Sequence, residues 1–101
     1  MSVSDHTLTS GQSVAANSLL AVNDVDGDQI TMFRLYDQSP EATSGHFTVN
    51  GAVQAPMHNI DLTPAQLAQT SFVAGTTPDH LWVQVFDGAA WSAWYDFHIL
   101  V

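Results

Sequence analysis

Apolar and polar positions alternate with period two through much of this chain. The run His80-Leu81-Trp82-Val83-Gln84-Val85-Phe86 sets Leu81, Val83 and Val85 on one face of a strand. Trp91 to Val101 alternates again, with Trp91, Ala93, Tyr95, Phe97 and Ile99 inward and Trp94, Asp96 and His98 outward. Matching the inward residues of these two strands sets Trp82 across from Trp94 on the outer face. A third strand, Ile30 to Tyr36, is rich in β-branched and aromatic residues. Its parity puts Thr31, Phe33 and Leu35 on one face and Arg34 on the other. Ile30 breaks that parity, which predicts a bulge or turn residue there.

Turn chemistry punctuates these runs. Asn50-Gly51 between His46–Val49 and Ala52–Ala55 predicts a two-residue hairpin of type I′, with Phe47 and Val49 inward. Pro56 closes the second strand because it has no N–H to give a ladder. Leu62-Thr63-Pro64-Ala65-Gln66-Leu67 is a helix start. Thr63 is the N-cap, Pro64 the first helical residue, Gln66 the partner in a capping box, and Leu62 with Leu67 a hydrophobic staple. Strand character from Ser71 to Ala74 limits that helix to one or two turns, between Pro64 and Gln69. Gly75-Thr76-Thr77-Pro78-Asp79 is a turn, and Asp87-Gly88 opens the last hairpin. Near the start, Leu8 and Val14 are inward positions of short edge strands, and a helical turn is expected at Asn17–Ala21. Many short strands with turns about every ten residues predict an all-β, antiparallel β-sandwich with one short helix near residues 64–69.

A length of 101 residues predicts one domain. Both ends have the character of cuts within a longer chain: no polar tail follows Ile99-Leu100-Val101, and no leader pattern opens the sequence. Ten carboxylates stand against Arg34 and no lysine, a formal net charge of −9. Such a surface repels phosphate, so nucleic acid and anionic membranes are poor partners. No apolar run approaches the length that would insert into a membrane. The chain has no cysteine, so no disulfide staples the fold; that is neutral on compartment, because secreted domains can use bound metal instead.

Asp24-Val25-Asp26-Gly27-Asp28, directly before the Ile30 strand, concentrates the charge. Alternate aspartates around a glycine supply hard oxygens in a small volume, the donor set calcium takes. The competing reading is a solvated Asp-Gly turn. The spacing is not that of an EF-hand: positions six and twelve, counted from Asp24, hold Gln29 and Leu35 instead of glycine and glutamate.

Three stretches in order resemble one family. Ala21–Asp28 leading into Ile30–Tyr36, then Gly45-His46-Phe47-Thr48-Val49-Asn50-Gly51, then Leu81–Gly88 are similar to the cadherin-like β-sandwich repeats of large secreted or surface bacterial proteins of the RTX and adhesin type. The resemblance runs from about Ala21 to the end. It implies an Ig/cadherin-like Greek-key sandwich spanning 1–101 as a single module. It also implies that Asp24, Asp26 and Asp87, with Asp28 as a weaker member, bind Ca2+ at one pole and stiffen the joint with a neighbouring module. The chain departs from the pattern at Asp61: an Asp-x-Glu pair is usual there, and position 63 is Thr63. Asp61 is then left to support the helix cap.

Other chemistry is sparse. His6, His46, His58, His80 and His98 lack zinc spacing, and no nucleophile elbow is present, so an enzyme is not expected. The expected role is a structural or adhesive extracellular repeat, calcium-bound and partnered by neighbouring modules. An exposed Trp82–Trp94 platform supports the alternative of a carbohydrate-binding module for a surface glycan, against the reading in which a loop covers the two indoles.

Overall fold

The computed structural model describes residues 2–21 and 30–101 of the protein. In chain order the elements are β1 (Ser2–Val3), β2 (His6–Thr7), β3 (Ser13–Ala15), a 3₁₀ turn (Ala16–Ser18), β4 (Leu20–Ala21), β5 (Met32–Asp37) and β6 (His46–Val49). They continue with β7 (Ala52–Val53), β8 (Ile60–Leu62), α1 (Pro64–Leu67), β9 (Thr70–Val73), β10 (Asp79–Phe86) and β11 (Tyr95–Leu100). One sheet has the order β2-β11-β10-β5-β8, a second the order β3-β9-β6-β7, and β1 pairs with β4. Every pairing is antiparallel except β2 with β11, which run parallel through Ile99↔His6.

The two larger sheets share one core, which makes the architecture all-β and sandwich-like. The five-stranded sheet contributes Phe33, Leu35, Ile60, Leu62, Leu81, Val83, Val85, Phe97 and Ile99, and the four-stranded sheet Phe47 and Phe72. Phe72 and Phe47 are Cα partners on β9 and β6, and their rings meet edge to face at 5.2 Å. Leu81, Val83 and Val85 point inward as the alternation predicts. Thr31 does not share the inward face of Phe33 and Leu35. It is exposed ahead of β5, and the third inward position of that strand is Asp37.

Local signals set two connections. Asn50 and Gly51 both have positive φ, 50° and 84°, the geometry that the type I′ hairpin needs. At α1 the Thr63 Oγ1 accepts from Gln66 N–H at 3.2 Å, and Gln66 Oε1 accepts from Thr63 N–H at 2.9 Å. Leu62 and Leu67 are both buried beneath this capping box. Asp61 takes no part in it. Its carboxylate forms a two-pronged pair with Arg34 (Nε–Oδ1 2.7 Å, Nη2–Oδ2 3.1 Å), set up because β8 and β5 align Arg34 with Asp61.

The expected register near the tryptophans is corrected by a bulge. Val83 pairs with Tyr95, and Phe86 bridges to Trp91. Three steps along β10 therefore match four steps on the other side, one residue extra. Ser92 fills the gap: its N–H donates to Val85 O at 2.8 Å and its Oγ accepts from Val85 N–H at 3.0 Å. The inserted residue reverses the face of everything before it. Trp91 thus lies on the outer face against Phe86, ring centroids 5.1 Å apart, rather than in the core. The Arg34 guanidinium stacks over it at 4.0 Å. Trp82 faces Asp96, not Trp94, and Trp94 lies ahead of β11.

Candidate functional site

Three places combine polar chemistry with defined geometry. The first is the pole that holds Asp87. Asp24, Asp26 and Asp28 lie outside the described residues. The chain re-enters them at Ile30, and the next residue, Thr31, donates its N–H to Phe86 O at 2.8 Å. The strand that follows the acidic stretch therefore starts beside Asp87. The Asp87 carboxylate is exposed, and its Oδ1 accepts from the N–H groups of Ala90 and Ala89, both at 2.9 Å. Those two donors hold the carboxyl below the usual carboxylate range, so it remains ionised into mild acid. Among the described residues no three His, Cys, Asp or Glu side chains converge closely enough to hold a metal ion.

The second place is the outer face of the five-stranded sheet. Tyr36 on β5 and Trp82 on β10 are Cα partners. With Gln38, Asn59 and Trp94 they line an open cavity of about 360 Å³. Trp94 meets the edge of Tyr36 at 6.5 Å between centroids, and Trp82 Nε1–H donates to Gln38 Oε1. Trp82 and Trp94 thus share a cavity although they are not strand partners. Alternation places both Trp82 and Trp94 on this outer face; the register it suggests between them is what the bulge between Trp91 and Tyr95 alters. Among the described residues no charged side chain lines the cavity. Beside it, His80 and His98 stack at 4.4 Å, and His80 Nε2 lies 2.9 Å from Asp96 Oδ2.

The third place was not anticipated from the sequence. Asp37 and Asp79 occupy inward positions at neighbouring ends of β5 and β10, 3% and 1% exposed. Asp37 Oδ1 accepts from Ser39 N–H at 3.0 Å, and Asp79 Oδ2 from Gly45 N–H at 2.9 Å. The two carboxyls thereby pin both ends of the loop joining β5 to β6. Asp79 Oδ1 is buried with no hydrogen-bond partner. The nearby Ser44 hydroxyl has a single proton, and the carbonyl oxygens of Ser39 and Glu41, at 2.8 and 2.7 Å, compete for it. Burial raises the Asp37 carboxyl to about 7, against the pull of the Ser39 N–H, and burial raises Asp79 as well. The signal was available: Asp37 extends the parity of Phe33 and Leu35, and Asp79 that of Leu81 and Val83.

Comparison with family models, with curated proteins and with solved structures finds no match.

Proposed function

We propose that this chain is a non-catalytic structural or adhesive repeat module of a secreted or cell-surface bacterial protein, cadherin-like in its sandwich, with calcium at the Asp87 pole stiffening the joint to a neighbouring module. The observation that carries the reading is the parallel pairing of β2 with β11. A chain that enters and leaves a sandwich in the same direction strings modules end to end. The molecule is elongated, 39 × 24 × 19 Å, as a spacer would be. The charge supports the ion: nine net negative charges repel one another, and a divalent cation among Asp24, Asp26, Asp28 and Asp87 relieves that repulsion locally.

Linkage gives the test. Extracellular calcium modules bind at roughly 10⁻⁴ to 10⁻³ M, so about 10 mM calcium stabilises the folded form by about 1.5–3 kcal/mol. The midpoint of thermal unfolding is expected to rise in calcium, and Asp24→Ala with Asp26→Ala should remove the rise.

A second reading rests on the outer-face cavity. Tyr36, Trp82 and Trp94 offer aromatic walls, Gln38 and Asn59 offer amide donors and acceptors, and among the described residues no charge lines the cavity to favour an anionic ligand. That chemistry suits a neutral sugar ring of a surface glycan. On an array of neutral glycans, Trp94→Ala should weaken any bound sugar by about tenfold or more, the size of losing one aromatic contact. Uniform blanks with the unaltered chain would dismiss this reading.

A further inference from the structure

We infer that Asp37 and Asp79 form a proton-holding latch that closes the loop between β5 and β6 in mild acid and loosens it as pH rises through neutrality. Two inward carboxyls sit side by side, and among the described residues neither has an ion-pair partner. Arg34, the chain's single Lys or Arg, is engaged on the opposite face of the sheet by Asp61. Two carboxylates without a cation are costly in such a place, and protonation is the ordinary escape.

The alternative occupant would be a metal ion, and the geometry disfavours it. Asp79 Oδ1 has essentially no accessible surface, so a coordination shell cannot form around it. A proton needs no such room. Nor, among the described residues, do three ligating side chains converge there. The latch is mechanical because both carboxyls hold backbone of the same loop, at Ser39 and at Gly45. Thr43, midway along it, accepts from the N–H groups of Thr76 and Thr77, while His80 of β10 holds the start of the loop, its carbonyl accepting from Gln38 N–H and its N–H donating to Ser39 Oγ.

Charged neighbours tune the pair in both directions. Glu41, on the loop, favours keeping the proton on each carboxyl. His46 on β6 favours ionised Asp79. His80 and His98 line the adjoining cavity with Glu41, Ser39 and Asp79. The sign follows from linkage. A carboxyl that titrates higher when folded binds more protons in the closed form. Its contribution is present at acid pH and is lost as pH climbs from the ordinary carboxylate range to about 7.

The test uses the full chain in EDTA, so that calcium plays no part. Carbon-detected NMR of the aspartate carboxyls should show Asp37 titrating near neutrality and Asp79 raised above the ordinary carboxylate range. Hydrogen exchange, corrected for intrinsic rate, should show the Ser39 and Gly45 amides opening at least about tenfold more readily at pH 8 than at pH 5. Asp37→Asn keeps the acceptor for Ser39 but cannot ionise, so it should flatten that dependence and raise the melting midpoint at pH 8. Ordinary acid titration of both carboxyls would overturn the inference, as would an Asp37→Asn chain less stable than the original at pH 8.

Discussion

Truncation of Phe72 to alanine is expected to cost about 3–5 kcal/mol, the largest single-residue loss in this molecule. Its side chain is fully buried at the middle of the four-stranded sheet. On β9 it lies between Val14 of β3 and Phe47 of β6. The loss has two parts, the transfer of a phenyl ring out of water and the void left where neighbouring strands cannot close up. The edge-to-face contact with Phe47 adds to both. Small domains have only about 5–15 kcal/mol in hand. Urea unfolding should therefore show a midpoint reduced by a large fraction with the slope preserved. A shift worth less than about 1 kcal/mol would mean that the two sheets are not packed on Phe72.

Gly45→Ala should be nearly as damaging, about 3 kcal/mol, for the opposite reason. A methyl group there would strike the Val73 carbonyl oxygen and come within 2.6 Å of the Phe72 ring. The carbonyl belongs to the β6–β9 ladder, where Val73 is the partner of His46, and cannot retreat without breaking pairing. The Phe72 ring is packed on all sides. The same displacement would pull Gly45 N–H from Asp79, so the effect should be accompanied by faster exchange at Ser39, at the other end of the loop. By thermal melting the midpoint should fall by roughly 12–20 °C. Melting within a degree or two of the original chain would contradict the close approach of loop and sheet.

What the sequence disclosed was local. Asn50-Gly51 needs only its own two residues to demand positive φ, and the Thr63–Gln66 box is closed within four residues. The inward set of β10 follows from an unbroken alternation. What stayed hidden depends on partners far along the chain. The bulge at Ser92 exists because its hydroxyl and N–H satisfy Val85, and nothing near Ser92 announces it. Trp91 followed it to the outer face and found Arg34, a contact between residues from three different strand regions. Arg34 in turn took Asp61 from the role expected at the helix cap. Asp37 and Asp79 are hidden differently: each extends the parity of its strand, but a carboxylate has the propensity of a loop residue, and Asp79 follows the turn residues Gly75–Pro78.

The three sites occupy separate regions of one sandwich. The Asp87 pole lies where β5 starts and β10 ends, the latch lies at the other end of the same two strands, and the aromatic cavity sits on the face outside them. The proposed joint and the proposed pH-dependent loop would thus lie at opposite ends of β5 and β10, with the core between them.

Calcium-dependent melting tests the central claim most directly. The chain would be melted in EDTA and in about 10 mM calcium, beside Asp24→Ala/Asp26→Ala and Asp87→Ala chains. The account predicts a midpoint higher by roughly 6–20 °C in calcium, with the rise absent from the double variant and reduced in Asp87→Ala. Coincident curves for the unaltered chain with and without the ion would contradict it.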